Sequence, residues 1–156
     1  MEPIWAVGLM TGTVLDGNID VAMLKTDGER IEEFGPYVLA PYPSWIRELL
    51  EETLRQARAW NFEGPEPAIF KAAEEALTRA QSEAVRELVE DNGMTMADIG
   101  VVGFHGQTVL HRAPQKDRLG QTRQLGDGEL MRSILGTKVA YDFRSADMRE
   151  IGRAHV

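Results

Sequence analysis

The chain has 156 residues, 43% hydrophobic and 27% charged, with 25 acids against 17 lysines and arginines and a net charge of −8. That length sustains one domain with a real core, and the acidic balance argues against nucleic acid or an anionic membrane as a partner. No apolar run is long enough for a bilayer, Met1-Glu2-Pro3 lacks the basic start of a signal peptide, and the absence of cysteine excludes disulfides and thiolate metal sites, so a cytoplasmic protein is expected.

In chain order, Ile4 to Val7 run into Gly8-Leu9-Met10-Thr11-Gly12-Thr13-Val14-Leu15-Asp16-Gly17-Asn18-Ile19-Asp20, and Val21 to Leu24 run out of it. This reads as strand, tight polar turn and strand. Gly12 and Gly17 permit positive φ and close backbone approach. Successive N–H groups in such a turn form an anion-binding nest, and Thr11 and Thr13 add hydroxyl donors. Asp16 and Asp20 are hard oxygen ligands suited to a Mg²⁺ that keeps most of its water. These are the parts of a phosphate-binding hairpin and equally of an ordinary turn, in which Gly, Asp and Thr are common. It is not a Walker A loop, because no Gly-Lys-Ser/Thr follows.

Thr26-Asp27-Gly28-Glu29 gives the next turn, and a third strand runs from about Glu33 to Ala40 until Pro41 and Pro43 end it. Ser44 stands where a helix N-cap belongs, and Ile46, Leu49, Leu50 and Leu54 make one apolar face. After the connector Trp60 to Pro65, Pro67 suits the first turn of a second helix. Its stripe is Ile69, Ala73, Leu77, Ala80, Ala84 and Leu88; Glu74, Glu75, Arg79 and Glu83 read as a solvated surface, and Asn92-Gly93 ends the helix. Thr95 to Asp98 resembles a capping box. Ile99 to Phe104 lacks alternation, as a central strand covered on both faces would. It leads straight into His105-Gly106-Gln107-Thr108-Val109-Leu110-His111, and polar residues at a strand's C-terminal end are where open α/β sheets place ligands. A polar excursion with Pro114, a brief strand at Thr122 to Leu125, a Gly126-Asp127-Gly128 turn, a helix at Glu129 to Leu135 stopped by Gly136, and a strand at Thr137 to Phe143 complete the pattern. The expected class is a mixed α/β sheet with helices.

Four stretches stand at predicted strand ends: Gly12 to Asp20, Gly103 to Thr108, Gln124 to Gly128, and Asp142-Phe143-Arg144-Ser145-Ala146-Asp147. In this order and spacing they resemble the anhydro-N-acetylmuramic acid kinases, bacterial members of the actin-like sugar kinase superfamily, from residue 4 to about residue 149. The resemblance implies a ribonuclease H-like/actin-like ATPase domain of β-β-β-α-β-α-β order with its second lobe missing. It also implies a reaction: 1,6-anhydro-N-acetylmuramate is opened by water and phosphorylated on O6 by ATP, with Mg²⁺, in cytoplasmic peptidoglycan recycling. The full-length form is expected to be a homodimer with ATP in the cleft.

Residue by residue, Gly12, Thr13, Asp16, Gly17 and Asp20 match the family's ATP phosphate loop, so the resemblance implies a cofactor-binding stretch of Gly12, Thr13, Val14, Leu15, Asp16, Gly17, Asn18, Ile19 and Asp20, with Asp16 and Asp20 as metal ligands. The family usually has Ser where Val14 stands and lacks one residue of Gly17 to Asp20. His105, Gly106, Gln107 and Thr108 match a segment that lines the sugar site, where Gln107 both donates and accepts. Arg144 is assigned to the substrate as well, though pairing with a neighbouring acid is the commoner fate of a surface arginine. Asp147 is the candidate general base, with Asp142 as its rival. Asp127 serves equally as a helix cap or a ligand contact, and His111 reads as a structural residue. Two other readings remain: a related actin-like kinase for another sugar, and a half-domain that acts as a binding module.

The family's Gly-Gly-Gln-Gly-Ala-Pro-Leu run is replaced by Glu150-Ile151-Gly152-Arg153-Ala154-His155-Val156. That heptapeptide can be read from GAG ATC GGA AGA GCA CAC GTC, most of which is a common sequencing-library adapter. Residues 1–149 are therefore expected to be a kinase lobe and 150–156 a non-native tail.

Overall fold

A computed structural model of the protein describes residues 2–11 and 17–141. The elements run β1 (Ile4–Thr11), β2 (Asn18–Thr26), β3 (Ile31–Pro41), α1 (Ser44–Trp60), α2 (Ile69–Asp91), β4 (Ile99–Phe104), β5 (Gln107–Arg112), β6 (Gln121–Leu125), α3 (Gly128–Leu135) and β7 (Val139–Tyr141), with a short 3-10 turn at Met96–Asp98 before β4. Five strands form a mixed sheet of order β3-β2-β1-β4-β7. The expected meander is present: β1 pairs antiparallel with β2, and β2 with β3. β4 lies parallel to β1 and β7 parallel to β4.

Period-two burial explains which side of the sheet is covered. Val7, Leu9, Ile19, Val21, Met23, Val102 and Phe104 share one buried cluster with Ile46 and Leu50 of α1, Phe70, Leu77 and Val85 of α2, and Met131 and Leu135 of α3. The alternate residues Ala6, Gly8, Ala22, Leu24, Val101 and Gly103 are only half-buried. β4 is central, as expected, but among the described residues it is covered on one face. Two glycines on the strand, Gly100 and Gly103, blur the alternation that would have shown this.

Several local expectations change. Ser44 is the first residue of α1 and makes no capping bond; Pro43 holds the cap position at φ −55 and ψ 147. Its carbonyl accepts from the N–H groups of Ile46 (3.0 Å) and Arg47 (3.1 Å), and the pyrrolidine ring supplies the φ that the helix entry needs. Pro67 lies just before α2, which begins at Ile69. α2 is buried well beyond one stripe, with Thr78, Gln81 and Ser82 inside, because it contacts α1, α3 and the sheet. Gln81 donates from Nε2 to the Tyr42 hydroxyl at 2.7 Å in this interior. The capping box at Thr95 forms, with Asp98 Oδ2 accepting from the Thr95 N–H at 2.9 Å. α1 and α2 both precede β4, and a separate two-stranded hairpin, β5–β6, stands between β4 and α3, so the plain β-β-β-α-β-α-β order carries an added hairpin. The strand missed in the sequence is β5. Its alternation, with Gln107 and Val109 buried and Thr108 and Leu110 half-buried, was hidden by its polar residues.

Candidate active site

The sheet gathers the motifs at one edge. Leu9 of β1 lies beside Phe104 of β4, and Phe104 beside Tyr141 of β7, with all three strands parallel. Their C-terminal ends therefore share an edge. It is where β1 reaches Thr11, where β4 hands over to His105, and where β7 reaches Tyr141. This is the carboxyl edge at which open α/β sheets bind ligands. Gly12, Thr13, Val14, Leu15, Asp16, Asp142, Arg144, Asp147 and the segment 150–156 lie outside the described residues.

Gly17 closes the first turn with φ +65 and is buried. Its carbonyl accepts from the Tyr42 N–H at 2.8 Å, which ties the turn to the corner between β3 and α1. A Cβ on Gly17 would stand 3.2 Å from Arg47 Cδ and 3.3 Å from Arg47 Nη1, so the arginine side chain lies against the bare glycine. Asn18 and Asp20 are half-buried at the start of β2. Ile19 is 2% exposed and packs in the core, so only its backbone can face a ligand. Among the described residues no group of three or more His, Asp or Glu could hold a metal. Asp20 stands on the half-buried side of β2, and its carboxylate is the hard oxygen donor that a Mg²⁺ takes.

The second turn is built differently. Gly106 has φ +75, and a Cβ there would run into the carbonyl group of Leu125. Gly126 in turn lies against Gly106 Cα and the Phe104 ring, so the end of β4 and the end of β6 touch through two glycines. His105 is exposed at this junction. Gln107 is 6% exposed and its Nε2 donates to the Thr108 carbonyl at 3.2 Å. Thr108 Oγ1 accepts from Gln124 Nε2 at 3.1 Å. Residues 105–108 are thus brought to the edge, but Gln107 and Thr108 are largely engaged within the hairpin.

α2 positions the third motif. Glu74, expected on a solvated surface, accepts from the Gly126 N–H at 3.0 Å, and Thr78 Oγ1 accepts from the Asp127 N–H at 3.1 Å. Asp127 caps α3, its Oδ1 accepting from the Leu130 N–H at 3.0 Å, so the cap of its two expected roles is present. Two arginines pin the hairpin from outside. Arg123 pairs with Glu66 at 2.6 Å and lies over Phe70; Arg112 bonds Asn61 at 2.9 Å and lies over Phe62. At the end of β7 the Tyr141 hydroxyl donates to Glu129 at 3.0 Å. That bond and the carboxylate charge push the Tyr141 phenol up, while the Arg132 guanidinium and then the Tyr141 hydroxyl hold Glu129 below the usual carboxylate range. Sequence reasoning missed Arg47, Tyr42, Glu74 and Tyr141. None adjoins a motif partner in the chain except Tyr141, and only the sheet and α2 bring the others in.

The fold and its carboxyl edge define a mixed α/β domain whose five-stranded sheet fits an actin-like or ribonuclease H-like ATPase. A family model described as anhydro-N-acetylmuramic acid kinase matches residues 4–154, and the chain belongs to that family. It is 86% identical over 153 residues to the anhydro-N-acetylmuramic acid kinase of Rhizobium rhizogenes, and 82% and 76% identical over the same length to those of Mesorhizobium japonicum and Brucella anthropi. These alignments cover 98% of this chain and 41% of each relative's length. A solved structure described as an exopolyphosphatase-like protein aligns over 94% of the chain and 35% of its own length, at 13% identity and a TM-score of 0.40, too slight a likeness to bear on the argument. Among the described residues no helix is long and apolar enough to cross a membrane.

Proposed function

We propose that this chain is part of an ATP-dependent kinase that opens 1,6-anhydro-N-acetylmuramate and phosphorylates its O6. The observation that supports the reading is the shared edge of β1, β4 and β7, whose last residues Thr11, Phe104 and Tyr141 directly precede, in sequence, the stretches assigned to the phosphate loop, the sugar site and the base. Water attacks the anomeric carbon and its bond to O6 breaks. The proton of that water passes to the Asp147 carboxylate, and O6 takes the γ-phosphoryl of ATP, leaving N-acetylmuramate 6-phosphate and ADP. Residues 12–20 hold the phosphates through backbone N–H groups and hydroxyls, which is the positioning that phosphoryl transfer chiefly needs. Asp16 and Asp20 would hold Mg²⁺, which when bound neutralises phosphate charge. His105, Gly106, Gln107, Thr108 and Arg144 line the sugar, with the backbone and His105 reaching it and the Gln107–Thr108–Gln124 bonds fixing their shape. The remaining length of the relatives is assigned the second phosphate loop and the adenine pocket. The complete protein is read as a cytoplasmic homodimer that takes ATP and the sugar, and neither nucleic acid nor membrane.

The test joins residues 1–149 to the remaining part of the Rhizobium rhizogenes relative and supplies MgATP and the anhydro sugar. The expected product, identified by mass spectrometry, is N-acetylmuramate 6-phosphate, formed together with ADP. Turnover of a different sugar, with none of the anhydro sugar, would overturn the substrate assignment.

A further inference from the structure

Among the described residues Leu119 is the most exposed large apolar side chain outside the strands, at 74%. It follows the tight turn between β5 and β6, where the Gln115 N–H bonds the Arg118 carbonyl at 2.9 Å and the Arg118 N–H bonds the Gln115 carbonyl at 3.2 Å. Lys116 and Arg118 stand beside it, both exposed, so the hairpin ends in an apolar knob with a basic collar in a chain of net charge −8. The same chain carries a hollow of the opposite kind. A groove of about 400 Å³ lies between α2, the start of α1 and the end of β3. Ile46, Ala80 and Ala84 floor it, Trp45 walls it at 61% exposure, and Glu83 and Glu87 stand at its rim. Arg79 at that rim is engaged by Glu75 and Glu83 is shared with Arg86, while Glu87 enters no ion pair among the described residues. An open indole beside an apolar floor is the kind of surface that partners bury. The knob cannot fill the groove of its own copy. Arg112 ties the outer end of the hairpin to Asn61, the C-cap of α1, and to Gln121. Leu119 is two residues from Gln121, a reach of about 7 Å at most. Trp45 and Ile46 belong to the first turn of α1, whose 17 residues put roughly 25 Å between its ends. The hairpin packs against α1 and α2, the same two helices that border the groove. A two-fold axis near the middle of α1 therefore carries each knob to the other copy's groove, and both contacts form together.

We propose that the β5–β6 tip and the groove between α1 and α2 are the two halves of a reciprocal contact between two copies of this chain. Leu119 of one copy enters the groove of the other beside Trp45, and the basic collar meets the acidic rim, Arg118 against Glu87. Two copies that each carry a net charge of −8 repel, and this pairing sets opposite charges against each other where they come closest. The proposal rests on the homodimer reading above and gives that dimer its surface.

The experiment measures the dimer constant by sedimentation equilibrium in the full chain, alone and joined to the remaining part of the Rhizobium rhizogenes relative. It uses the parent, Leu119→Ser, Arg118→Glu, Glu87→Arg, the last two combined, and, as a control, Phe34→Ser on the far strand β3. The parent is expected to dimerise in both forms. Leu119→Ser should weaken the dimer by about a hundredfold or more, since each of two buried leucines is worth about tenfold. Arg118→Glu and Glu87→Arg each set like charges together and should weaken it by about tenfold, and the combined variant should recover most of that loss. Phe34→Ser should leave the constant unchanged. A parent that stays monomeric to about millimolar concentration in both forms overturns the proposal and the homodimer reading together. A dimer whose constant is the same in Leu119→Ser overturns the proposal alone and leaves the homodimer on another face. Charge variants that each weaken the dimer with no recovery when combined also overturn it. So does a dimer of the lone chain that is lost on joining, because the remaining length then covers the knob or the groove.

Discussion

Two glycine turns border the same sheet edge, and they are built for different work. Gly17 and Gly106 both hold positive φ, at +65 and +75. Gly17 faces the side chain of Arg47, which can swing; Gly106 faces the backbone of Leu125, which cannot. Around Gly106, Gln107, Thr108 and Gln124 bond to one another, and Glu74 and Thr78 hold the neighbouring turn. At Gly17 the carbonyl accepts from the Tyr42 N–H, and the exposed side chain of Arg47 lies against the glycine. The comparison separates a wall of backbone against backbone at Gly106 from a contact surface at Gly17 where a long side chain lies against the glycine. Rigidity comes from backbone against backbone, and adjustability from backbone against a long side chain.

The largest expected effect belongs to the proposed chemistry. In the joined kinase, Asp147→Asn should cut turnover on the order of a hundredfold or more and leave ATP affinity unchanged, because an amide keeps the shape but takes no proton. Near-normal turnover in single-turnover kinetics would shift the role to Asp142.

The two glycines can be set against each other directly. Gly106→Ala combines a disfavoured φ with a clash against a carbonyl and should destabilise the fold by roughly 1–3 kcal/mol, with a matching fall in melting temperature. Gly17→Ala carries a similar φ cost but displaces only a flexible side chain, so its stability loss should be the smaller and its effect on ATP binding the larger. Equal losses of stability in thermal melts would erase the distinction between wall and contact surface.

Glu74→Ala removes the acceptor for the Gly126 N–H and should cost about 1–2 kcal/mol, a price set by a half-buried donor left unpaired. The wall should loosen while the Gly17 turn keeps its ligand affinity. An unchanged melting temperature would show that α2 does not hold the hairpin end.

The smallest effect is a pH dependence. Burial pushes the Tyr42 phenol above its ordinary value of 10.0, against the opposing hydrogen bond from Gln81. The folded state thus favours the protonated phenol, so stability is unaffected below the unfolded value near 10 and falls as pH rises beyond it. Tyr42→Phe should abolish this alkaline decline and lower stability at neutral pH by about 1 kcal/mol through the stranded Gln81 amide. A decline of the same steepness in Tyr42→Phe, followed by melting temperature from pH 8 to pH 11 (about the span of a phenol titration), would assign it to another group.

What the sequence determined by itself is local and periodic. The meander around Gly8 to Leu24, the helix stripes, the Gly93 and Gly136 stops and the Thr95–Asp98 box all depend on residues within a few positions of one another, so composition and spacing expose them. The family motifs were legible for the same reason, each being a short contiguous run. The tertiary structure decided what depends on distant pairing. It separated β5 from β4 as half of its own hairpin, since Gln107 and Thr108 find their partners at Leu125 and Gln124. It turned Glu74 from a surface charge into an acceptor for Gly126, gave Asp127 to the helix cap, and sent Ile19 into the core. It also brought Arg47 to Gly17, because β2 and β3 fold back so that the corner at Tyr42 meets the turn. Hydrophobic periodicity states which face of an element is buried; it carries no record of what that face is buried against, and contacts between elements are made only when the sheet assembles.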